Sequence, residues 1–378
     1  MGRGWVSGEG ILKMKTLPQL HIRSIQARPV VVPMKRPLRT SSGAVAQAPL
    51  LLIDLQAEEG VTGRSYLFGY QPFTLKPLRD LVMALADQII GDRVAPFDVD
   101  RKLRSKAALL GPYNLLGMAL AGLDVACWDA LAVGQGLPLA ELLGGSTASV
   151  PAYNSNGLGI MPPEEAATEA TQLVAEGFGA IKIRLGRATA AEDLAAVRAV
   201  RSRIPSDVLL MADFNQALSV NEAIHRGSLL DGEGLVWIEE PVRADDLAGC
   251  ARVAAELKTP VQIGENFTGT YQMLESLNLH ASDFVMPDLQ RIGGVSGWLR
   301  AAALAQAAGC EMSSHLFPEV SAHLLAVTPT RHWLEYVDWA SPVLEQPLEV
   351  RDGKALVPSR PGSGIVWNEQ AVERFRVV

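Results

Sequence analysis

Short apolar runs alternate with amphipathic stretches through the second half of the chain. Between residues 180 and 319, each apolar run ends in an acidic, basic or histidine residue. The stretches in between place apolar residues at three- and four-residue spacing, which predicts helices over residues 163–176, 190–203, 221–230, 247–257, 272–277, 297–308 and 319–326. Strands and helices that alternate in this way are typical of a parallel sheet.

The acidic residues at the run ends recur at a fixed interval. Asp213 and Glu239 lie 26 positions apart, as do Glu239 and Glu265. This interval is about the length of one strand-helix unit in a parallel α/β barrel, where the strand ends meet on one face. An open doubly wound sheet would alternate too, but neither the GxGxxG motif nor the P-loop motif occurs in the chain. The pattern therefore favours a barrel and predicts one site at its strand ends.

A different pattern in the first half predicts a small antiparallel sheet. Residues 21–57 and the run that ends at Tyr70 are rich in β-branched and aromatic residues, and a Glu-Glu-Gly turn joins them. Helical spacing over residues 77–90 and 114–133 predicts two helices that cover one face of this sheet. The first half is therefore expected to be an α+β domain.

The second of these helices is apolar enough to suggest a membrane span. Its residues 115–134 are, however, interrupted by Asp124 and Asp129 and contain several glycines. We expect a buried helix there, and no association with a membrane.

These patterns divide the chain into four parts. We expect a flexible N-terminal extension over residues 1–20, the α+β domain over 21–149, the barrel over 150–340 and a C-terminal segment over 341–378. In the last segment Gly, Pro and short strand-like runs return, so it is expected to pack back against the first domain.

Composition and charge narrow the functional classes. The formal charge of -7 and the pI of about 5.5 argue against a sequence-independent nucleic-acid surface, which requires clustered excess Lys and Arg. The three cysteines lie far apart without a CxxC motif, and the N-terminus lacks the apolar segment of a secretory signal. A cytoplasmic protein with no nucleic-acid partner fits these features best.

Asp213, Glu239 and Glu265 are the candidate metal ligands. Three carboxylates that meet without a cation raise each other's pKa, so a hard divalent ion between them explains the arrangement. Mg²⁺ is the natural choice because it prefers octahedral oxygen coordination and retains water positions that a substrate carboxylate can take. A single such acid more often caps a helix or pairs with Lys, but three at matched spacing reverse that expectation. Glu240 is expected to face the opposite side of its strand.

Lys182 and Arg184 lie two positions apart on one predicted strand and therefore face the same way. Near a cation, Lys182 either accepts a proton or stays charged and holds an anion, and the sequence leaves both alternatives open. Arg184 stabilises negative charge but is a poor proton acceptor. The alternative for both residues is a solvated cation at a strand end.

His315 and Asp288 end the last two apolar runs of the pattern. An Asp beside a His fixes its tautomer and raises its basicity, which prepares a general base. A nucleophilic triad with Ser313 or Ser314 is the weaker alternative, because no GxSxG elbow is present.

Taken together, these motifs resemble the mandelate racemase group of the enolase superfamily. They are Lys-x-Arg at 182–184, Asp-x-Asn at 213–215, WIEEP, GEN, MPD, MSSHLF and HWLE, and the similarity extends from the APLLLIDL strand to PGSGIVW near the C-terminus. The resemblance implies an α+β capping domain over a modified (β/α)7β barrel, which is a TIM-barrel variant. It also implies one Mg²⁺ per subunit and a symmetric homo-oligomer.

The resemblance further implies what each polar residue does. Asp213, Glu239 and Glu265 would bind Mg²⁺, and Lys182 would neutralise one carboxylate oxygen of a small hydroxy-carboxylate substrate.

Four further roles follow from the same resemblance. His315, backed by Asp288, would move the proton α to the carboxylate, while Glu335 would donate a hydrogen bond to the other carboxylate oxygen as the enediolate forms. Asn215 would contact the region of the 2-hydroxyl group. The metal, the cation and the hydrogen bond together would stabilise the negative charge that develops.

One departure from the family pattern bears on the reaction. The racemases have a second Lys, the base on the face opposite His, where this chain has Arg184. Racemisation needs a proton acceptor on each face, so Arg184 favours a one-base reaction. We expect a dehydratase in which His315 removes the α-proton and assists loss of a β-hydroxyl group. A racemase or epimerase that uses Arg184 as its second base is the alternative, and a catalytically silent scaffold is a third.

A second departure concerns the substrate. The segment MKRPLRTSSG, which we expect to be a loop, carries hydroxyl residues and the cations Lys35, Arg36 and Arg39, whereas the family's mandelate-specific loop is more apolar. A cation that points inward would favour a polar substrate such as a sugar acid or a diacid. Phe68 and Tyr70 are expected to form the other wall of the site.

Overall fold

The computed structural model describes residues 19–41 and 43–377 of the 378-residue chain. The extension predicted for residues 1–20 therefore lies outside the described residues, except for its last two positions. Ser42 of the segment MKRPLRTSSG lies outside them as well.

An antiparallel sheet forms the first part of the fold. Its strands, in spatial order, are β1 (Ile22–Thr40), β2 (Gly43–Ala57) and β3 (Thr62–Phe68). The turn between β2 and β3 places Gly60 at φ 83°, which glycine adopts without steric cost. β1 and β2 stay paired as far as Thr40 and Gly43, so the segment MKRPLRTSSG is the end of a long hairpin. The interpretation of this segment as a loop was wrong.

Four helices follow the sheet within the described residues: α1 (Leu75–Ala86), α2 (Pro96–Ala107), α3 (Asn114–Gln135) and the short α4 (Leu139–Leu142). By length and composition α3 is apolar enough to cross a membrane, yet 83% of its most apolar window is buried inside the protein. It packs against β3 on one side and against barrel residues on the other. Burial on both sides explains its continuous apolar composition, as predicted.

Eight parallel strands, counted over the described residues, form the barrel. They are β4 (Val150–Asn154), β5 (Ala180–Arg184), β6 (Leu209–Asp213), β7 (Leu235–Glu239), β8 (Val261–Ile263), β9 (Phe284–Val285), β10 (Glu311–Met312) and β11 (Leu334–Tyr336). β4 to β10 pair in chain order, and β11 pairs with β4. Backbone hydrogen bonds of Met312 with Thr330 and His332 join β10 to the segment before β11, which closes the barrel.

Helices follow the first seven of these strands and cover the outside of the barrel. They are α5 (Pro163–Ala175), α6 (Ala190–Arg203), α7 (Val220–Leu230), α8 (Leu247–Glu256), α9 (Thr270–Asn278), α10 (Leu289–Ile292), α11 (Gly294–Ala308) and α12 (Pro318–Ala326). α6 illustrates why they form: Thr189 and Glu192 make a capping box, and Ala196, Val197 and Val200 face the core. The order of elements is (β/α)7β, as the resemblance implied.

The chain then returns to the first sheet. β12 (Val350–Arg351) and β13 (Lys354–Ala355) form a hairpin, and β13 pairs antiparallel with β4. Trp367 Nε1 donates to Asp54 Oδ1 at 2.8 Å, which links the C-terminal segment to β2. The domain bounds 21–149, 150–340 and 341–378 stay a prediction.

The strand-like runs expected after residue 341 appear as β12 and β13, but the final element, α13 (Glu369–Phe375), is a helix, so there the expectation was wrong. Asn368 caps it by accepting from Ala371 N, and Glu369 pairs with Arg28 of β1. The capping residue, the tertiary ion pair and the helix-forming Glu, Gln, Ala and Arg residues of this segment together favour the helix.

Candidate active site

Asp213, Glu239 and Glu265 meet at the C-terminal ends of neighbouring strands. Asp213 and Glu239 are the last residues of β6 and β7, and Glu265 lies two residues after β8. One oxygen of each carboxylate lies within 4.8 Å of the others. We call these three residues the carboxylate cluster. Glu240 lies outside it, because its side chain instead accepts from Gly264 N at 3.0 Å.

The carboxylate cluster carries more negative charge than its neighbours neutralise. Burial, together with Asp213, Glu335 and Glu265, raises the pKa of Glu239 to about 8, although Lys182 acts in the opposite direction. Burial also raises the pKa of Glu265. A divalent cation would remove this repulsion, and carboxylate oxygens are the ligands that Mg²⁺ prefers. The donor set therefore suits Mg²⁺.

Lys182 of β5 lies beside the carboxylate cluster and is fully buried. Its Nζ donates to Glu239 and, at 2.9 Å, to Glu335 Oε1, and it lies 3.4 Å from Asp213 Oδ2. Burial lowers the pKa of Lys182, but the charges of Glu239 and Glu335 outweigh burial and hold it well above its usual value. Of the two roles left open by the sequence, these contacts favour the charged one.

Arg184, two residues further along β5, is bound to the turn after β4. Its Nη1 donates to the carbonyl oxygens of Ser155 at 3.1 Å and Gly157 at 2.8 Å, and its Nη2 donates to Ser155 Oγ at 3.2 Å. The side chain is buried. Its guanidinium is therefore engaged with the turn at residues 155–157.

His315 and Asp288 form a hydrogen-bonded pair on another side of the site. His315 Nδ1 lies 2.7 Å from Asp288 Oδ2, and Asp288 Oδ1 accepts from the backbone of Gln290 and Arg291 at the start of α10. His315 Nε2 points to the carboxylate cluster, 3.4 Å from Glu265 Oε2. Burial lowers the pKa of His315, but the neighbouring carboxylates raise it to about 9.

Glu335 of β11 lies between Lys182 and His315. Its Oε1 accepts from Lys182, and its Oε2 accepts from Leu316 N at 3.0 Å. Burial raises the pKa of Glu335, but Lys182 and His315 hold it well below its usual range. The carboxyl is ionised in this arrangement, so the role of donor that the resemblance implies requires Lys182 to turn to another partner.

The three residues predicted to touch substrate differ in what they contact. Asn215 donates to Asp213 through its backbone N at 2.7 Å and its Nδ2 at 2.9 Å, while its buried Oδ1 has no partner within the described residues. Phe68 packs on Trp339 with ring centroids 5.0 Å apart, and on Tyr70 at 4.7 Å. Asn215 therefore has a free acceptor beside the carboxylate cluster. The rings of Phe68 and Tyr70 pack together, and their role as a wall of the site stays a prediction.

The cations of the β1–β2 hairpin point to carboxylates on α5 and the residue after it. Arg36 Nη2 donates to Glu176 Oε1 at 2.8 Å, and Lys35 Nζ donates to the same oxygen at 3.1 Å. Arg36 also lies 3.6 Å from Glu169 Oε1. These two cations therefore hold the hairpin on the barrel, and Arg39 is exposed, so none of the three points inward.

Family models cover most of the chain. Residues 22–144 match the mandelate racemase / muconate lactonizing enzyme N-terminal domain, and residues 165–371 match the enolase C-terminal domain-like model. The chain belongs to the mandelate racemase/muconate lactonizing enzyme family. The predicted family and fold class, an α+β domain with a modified TIM barrel, are confirmed.

Individual members of the family are also similar over most of their length. L-talarate/galactarate dehydratase of Salmonella typhimurium is 36% identical over 291 residues, 76% of this chain and 73% of the relative. An enolase from an alphaproteobacterium with bound magnesium is 45% identical, with a TM-score of 0.93 over 95% of this chain and 100% of the other. An enolase from Bradyrhizobium complexed with magnesium and mandelic acid is 43% identical, with a TM-score of 0.92 over 96% and 100%.

Two buried residues that lie beside the carboxylate cluster were not identified from the sequence. Trp237 precedes Glu239 by two positions on β7, and Gln262 lies next to it on β8. Both donate hydrogen bonds to Glu239 Oε2. The alternation of side chains along a strand was the available signal, because residues two positions apart face the same side.

Proposed function

We propose that this family member is a magnesium-dependent dehydratase that converts a polar 2-hydroxy carboxylate, such as an acid sugar, into a 2-keto acid. The observation that carries the proposal is the asymmetry of the site. The pair of His315 and Asp288 faces the carboxylate cluster, whereas Arg184 is bound to the turn at residues 155–157. With one proton acceptor, elimination is favoured over inversion.

The chain supplies binding groups for the carboxylate and for the 2-hydroxyl group of the substrate. Asp213, Glu239 and Glu265 would hold Mg²⁺, which polarises the substrate carboxylate when it is bound and so makes the α-proton more acidic. Lys182, charged and buried, would pair with one carboxylate oxygen. Asn215 Oδ1 would accept a hydrogen bond from the 2-hydroxyl group.

His315 would carry both proton transfers. Once a bound cation offsets the charge of Glu265 that raises the pKa of His315, the neutral imidazole would donate its Nδ1 proton to Asp288, and Nε2 would take the α-proton as the C–H bond breaks. The imidazolium then returns this proton to the β-hydroxyl group, which leaves as water when the C–O bond breaks. The enol that results tautomerises to the 2-keto acid, so the net change is the loss of one water molecule.

A polar pocket next to the carboxylate cluster supports a polar substrate. Its volume is about 570 Å³, and its lining residues include Asn215, Gln216, Asn266, Gln272 and Arg291. Asn266 Nδ2 also donates to Glu265 at 3.2 Å, so the pocket adjoins the predicted metal ligands. Amides and a guanidinium suit a chain of hydroxyl groups. The similarity to L-talarate/galactarate dehydratase supports the same substrate class.

A racemase or epimerase of a 2-hydroxy acid is the second candidate. A small apolar cavity lies between the sheet and the segment after His315, lined by residues that include Phe68, Leu316, Val337 and Trp339. The cavity has a volume of about 10 Å³, room for at most about one water molecule, so it would have to open to take an apolar substituent. The similar enolase from Bradyrhizobium is complexed with mandelic acid. This reaction would need Arg184 to leave its turn and act as a base.

Incubation in deuterated water separates the two candidates. The enzyme with Mg²⁺ is incubated with acid sugars and with aromatic 2-hydroxy acids, and keto-acid formation and α-deuterium are measured. We expect keto acid from an acid sugar, without recovery of both stereoisomers of the substrate. α-Exchange with both stereoisomers and no keto acid would instead establish the racemase.

The variant His315→Asn tests the proposed base. Asn retains a hydrogen bond to Asp288 but accepts no proton, so turnover is expected to fall by at least about 10²-fold. The affinity for Mg²⁺, measured by calorimetry on the metal-free protein, is expected to stay nearly intact. Retained turnover would rule out His315 as the base, and failure of the unmodified protein to bind Mg²⁺ would support the catalytically silent scaffold.

We also propose that the protein acts in the cytoplasm as a homo-oligomer. Leu109, Leu110 and Tyr113, which lie close together just before α3, expose large apolar side chains, which supports a protein contact there. The free, buried thiols of Cys127, Cys250 and Cys310 suit a reducing compartment.

A further inference from the structure

Glu239 is held from inside the barrel by two neutral donors. Trp237 Nε1 donates to Glu239 Oε2 at 3.0 Å, and Gln262 Nε2 lies 3.3 Å from the same oxygen. Gln262 Nε2 also lies 3.2 Å from Met286 Sδ. The residues Trp237, Glu239 and Gln262 are completely buried.

The two oxygens of Glu239 therefore differ in their surroundings. Oε2 receives both neutral donors, whereas Oε1 is the acceptor for Lys182 at the mouth of the barrel. A buried carboxylate that lacked these donors would lose hydrogen bonds that favour its ionised form, and it would be free to turn about its terminal bond. The donors fix both the charge and the orientation of the group.

Burying the amide of Gln262 destabilises the protein unless the amide forms hydrogen bonds. Its Oε1 is buried without a hydrogen-bond partner among the described residues. An unpaired buried acceptor costs free energy that an apolar side chain of the same size avoids. The Nε2 contact with Glu239 offsets that cost.

We propose that Trp237 and Gln262 are positioning residues that hold Glu239 with Oε1 toward the mouth of the barrel and so increase its affinity for a divalent cation. The inference rests on the proposed role of Glu239 as a metal ligand. Groups that hydrogen-bond a metal ligand typically change affinity by about 10- to 100-fold when they are removed.

The variant Trp237→Phe tests the first donor, and the chain offers a matched control. Trp298 of α11 is also completely buried, but its Nε1 donates to Thr328 Oγ1, two residues after α12, at 3.0 Å. Trp298→Phe thus removes the same kind of bond away from the carboxylate cluster. The dissociation constant for Mg²⁺ is measured by calorimetry on the metal-free protein, with thermal unfolding as a check of folding.

We expect Trp237→Phe to weaken Mg²⁺ binding about tenfold or more, whereas Trp298→Phe changes the affinity less than about twofold. Gln262→Met, which keeps the volume and removes the amide, is expected to weaken binding as well. This variant decides the matter if Trp237→Phe does not fold.

The outcomes separate this inference from the proposed function. If the unmodified protein binds Mg²⁺ and both Trp237→Phe and Gln262→Met bind it equally well, the positioning role is overturned and the metal site stands. An equal loss of affinity in Trp298→Phe would show a general effect of core damage and would also overturn it. If the unmodified protein does not bind Mg²⁺, the proposed function fails together with the inference.

Discussion

The imidazole of His323 on α12 connects two distant parts of the chain. Its Nδ1 accepts from Ala140 N at 3.1 Å, and its Nε2 lies 3.3 Å from the carbonyl oxygen of Ser363. Burial lowers the pKa of His323 to about 4, although the bond to Ser363 acts in the opposite direction. The ring therefore stays neutral in the folded protein at pH values where a histidine of the unfolded chain gains a proton.

This difference predicts acid destabilisation from a single residue. An unfolded histidine titrates near pH 6.5, so between about pH 6.5 and 4 the unfolded state binds the extra proton and the free energy of unfolding falls as the pH falls. The shift corresponds to at most about 3 kcal/mol. In His323→Asn, whose Oδ1 replaces Nδ1 as acceptor, urea unfolding at pH 7 and pH 4.5 is expected to show a smaller difference. The same change at the exposed His225 is the control and is expected to leave the pH dependence unaltered. Equal pH dependence in the unmodified protein and in His323→Asn would contradict the prediction.

At the scale of single elements, the attachment of the β1–β2 hairpin depends on Arg36 more than on Lys35. Arg36 and Lys35 share an oxygen of Glu176, but the side chain of Arg36 is 12% exposed and that of Lys35 is 65% exposed. Buried ion pairs are costly to break, whereas exposed pairs contribute little. The tip of the hairpin lies against the segment just after β5. A Cβ atom added to Gly186 there would be 3.5 Å from Ser41 Cβ.

Arg36→Met is therefore expected to loosen the hairpin, and Lys35→Met is its control. Amide hydrogen exchange over residues 34–47, followed by mass spectrometry, should be at least about tenfold faster in Arg36→Met. Lys35→Met should exchange at nearly the rate of the unmodified protein. Identical exchange in the two variants would mean that burial of the ion pair does not hold the hairpin.

The elements differ in how far the sequence could predict them. Helices such as α6 were predictable because their apolar residues recur along one face. α2 was not predicted, since its sequence is largely charged and only a few positions, including Val99 and Leu103, are buried. α13 depends on its ion pair with Arg28, which lies more than 300 residues away in the chain.

The site residues also differ in how far the sequence could predict their positions and contacts. The residues at the strand ends could be predicted because parallel strands bring them to one face. The partners of Arg184 could not, because they lie on a turn whose path depends on Gly157 at φ 62°. The donors to Glu239 were within reach of a pattern argument that considered the residue two positions before each acid.

At the scale of the whole molecule, α3 joins the sheet, the barrel and the C-terminal segment. Asp124 accepts from Ser296 of α11 through its N at 2.9 Å and its Oγ at 2.6 Å. Asp129 accepts from Ser363 N and Oγ, both at 2.6 Å, and from Arg64 N at 2.7 Å. Both carboxyl groups are buried, so separating the parts would leave unpaired polar groups.

These bonds predict that the sheet and the barrel unfold together. Scanning calorimetry of the metal-free protein is expected to show one transition, with a calorimetric enthalpy close to the van't Hoff value. Two resolved transitions, one of them confined to residues 21–149, would show that the α3 contacts do not couple the parts.

The placement of Asp124 and Asp129 also limits which family members can exchange residues 21–149 with this chain. A chimaera that takes residues 21–149 from another family member and keeps this barrel receives α3 from one parent and its two serine partners from the other. It would keep its hydrogen bonds only if the donor parent has acids at both positions of α3 and the recipient retains Ser296 and Ser363. A working chimaera therefore has to match four residues, none of which is among the predicted site residues.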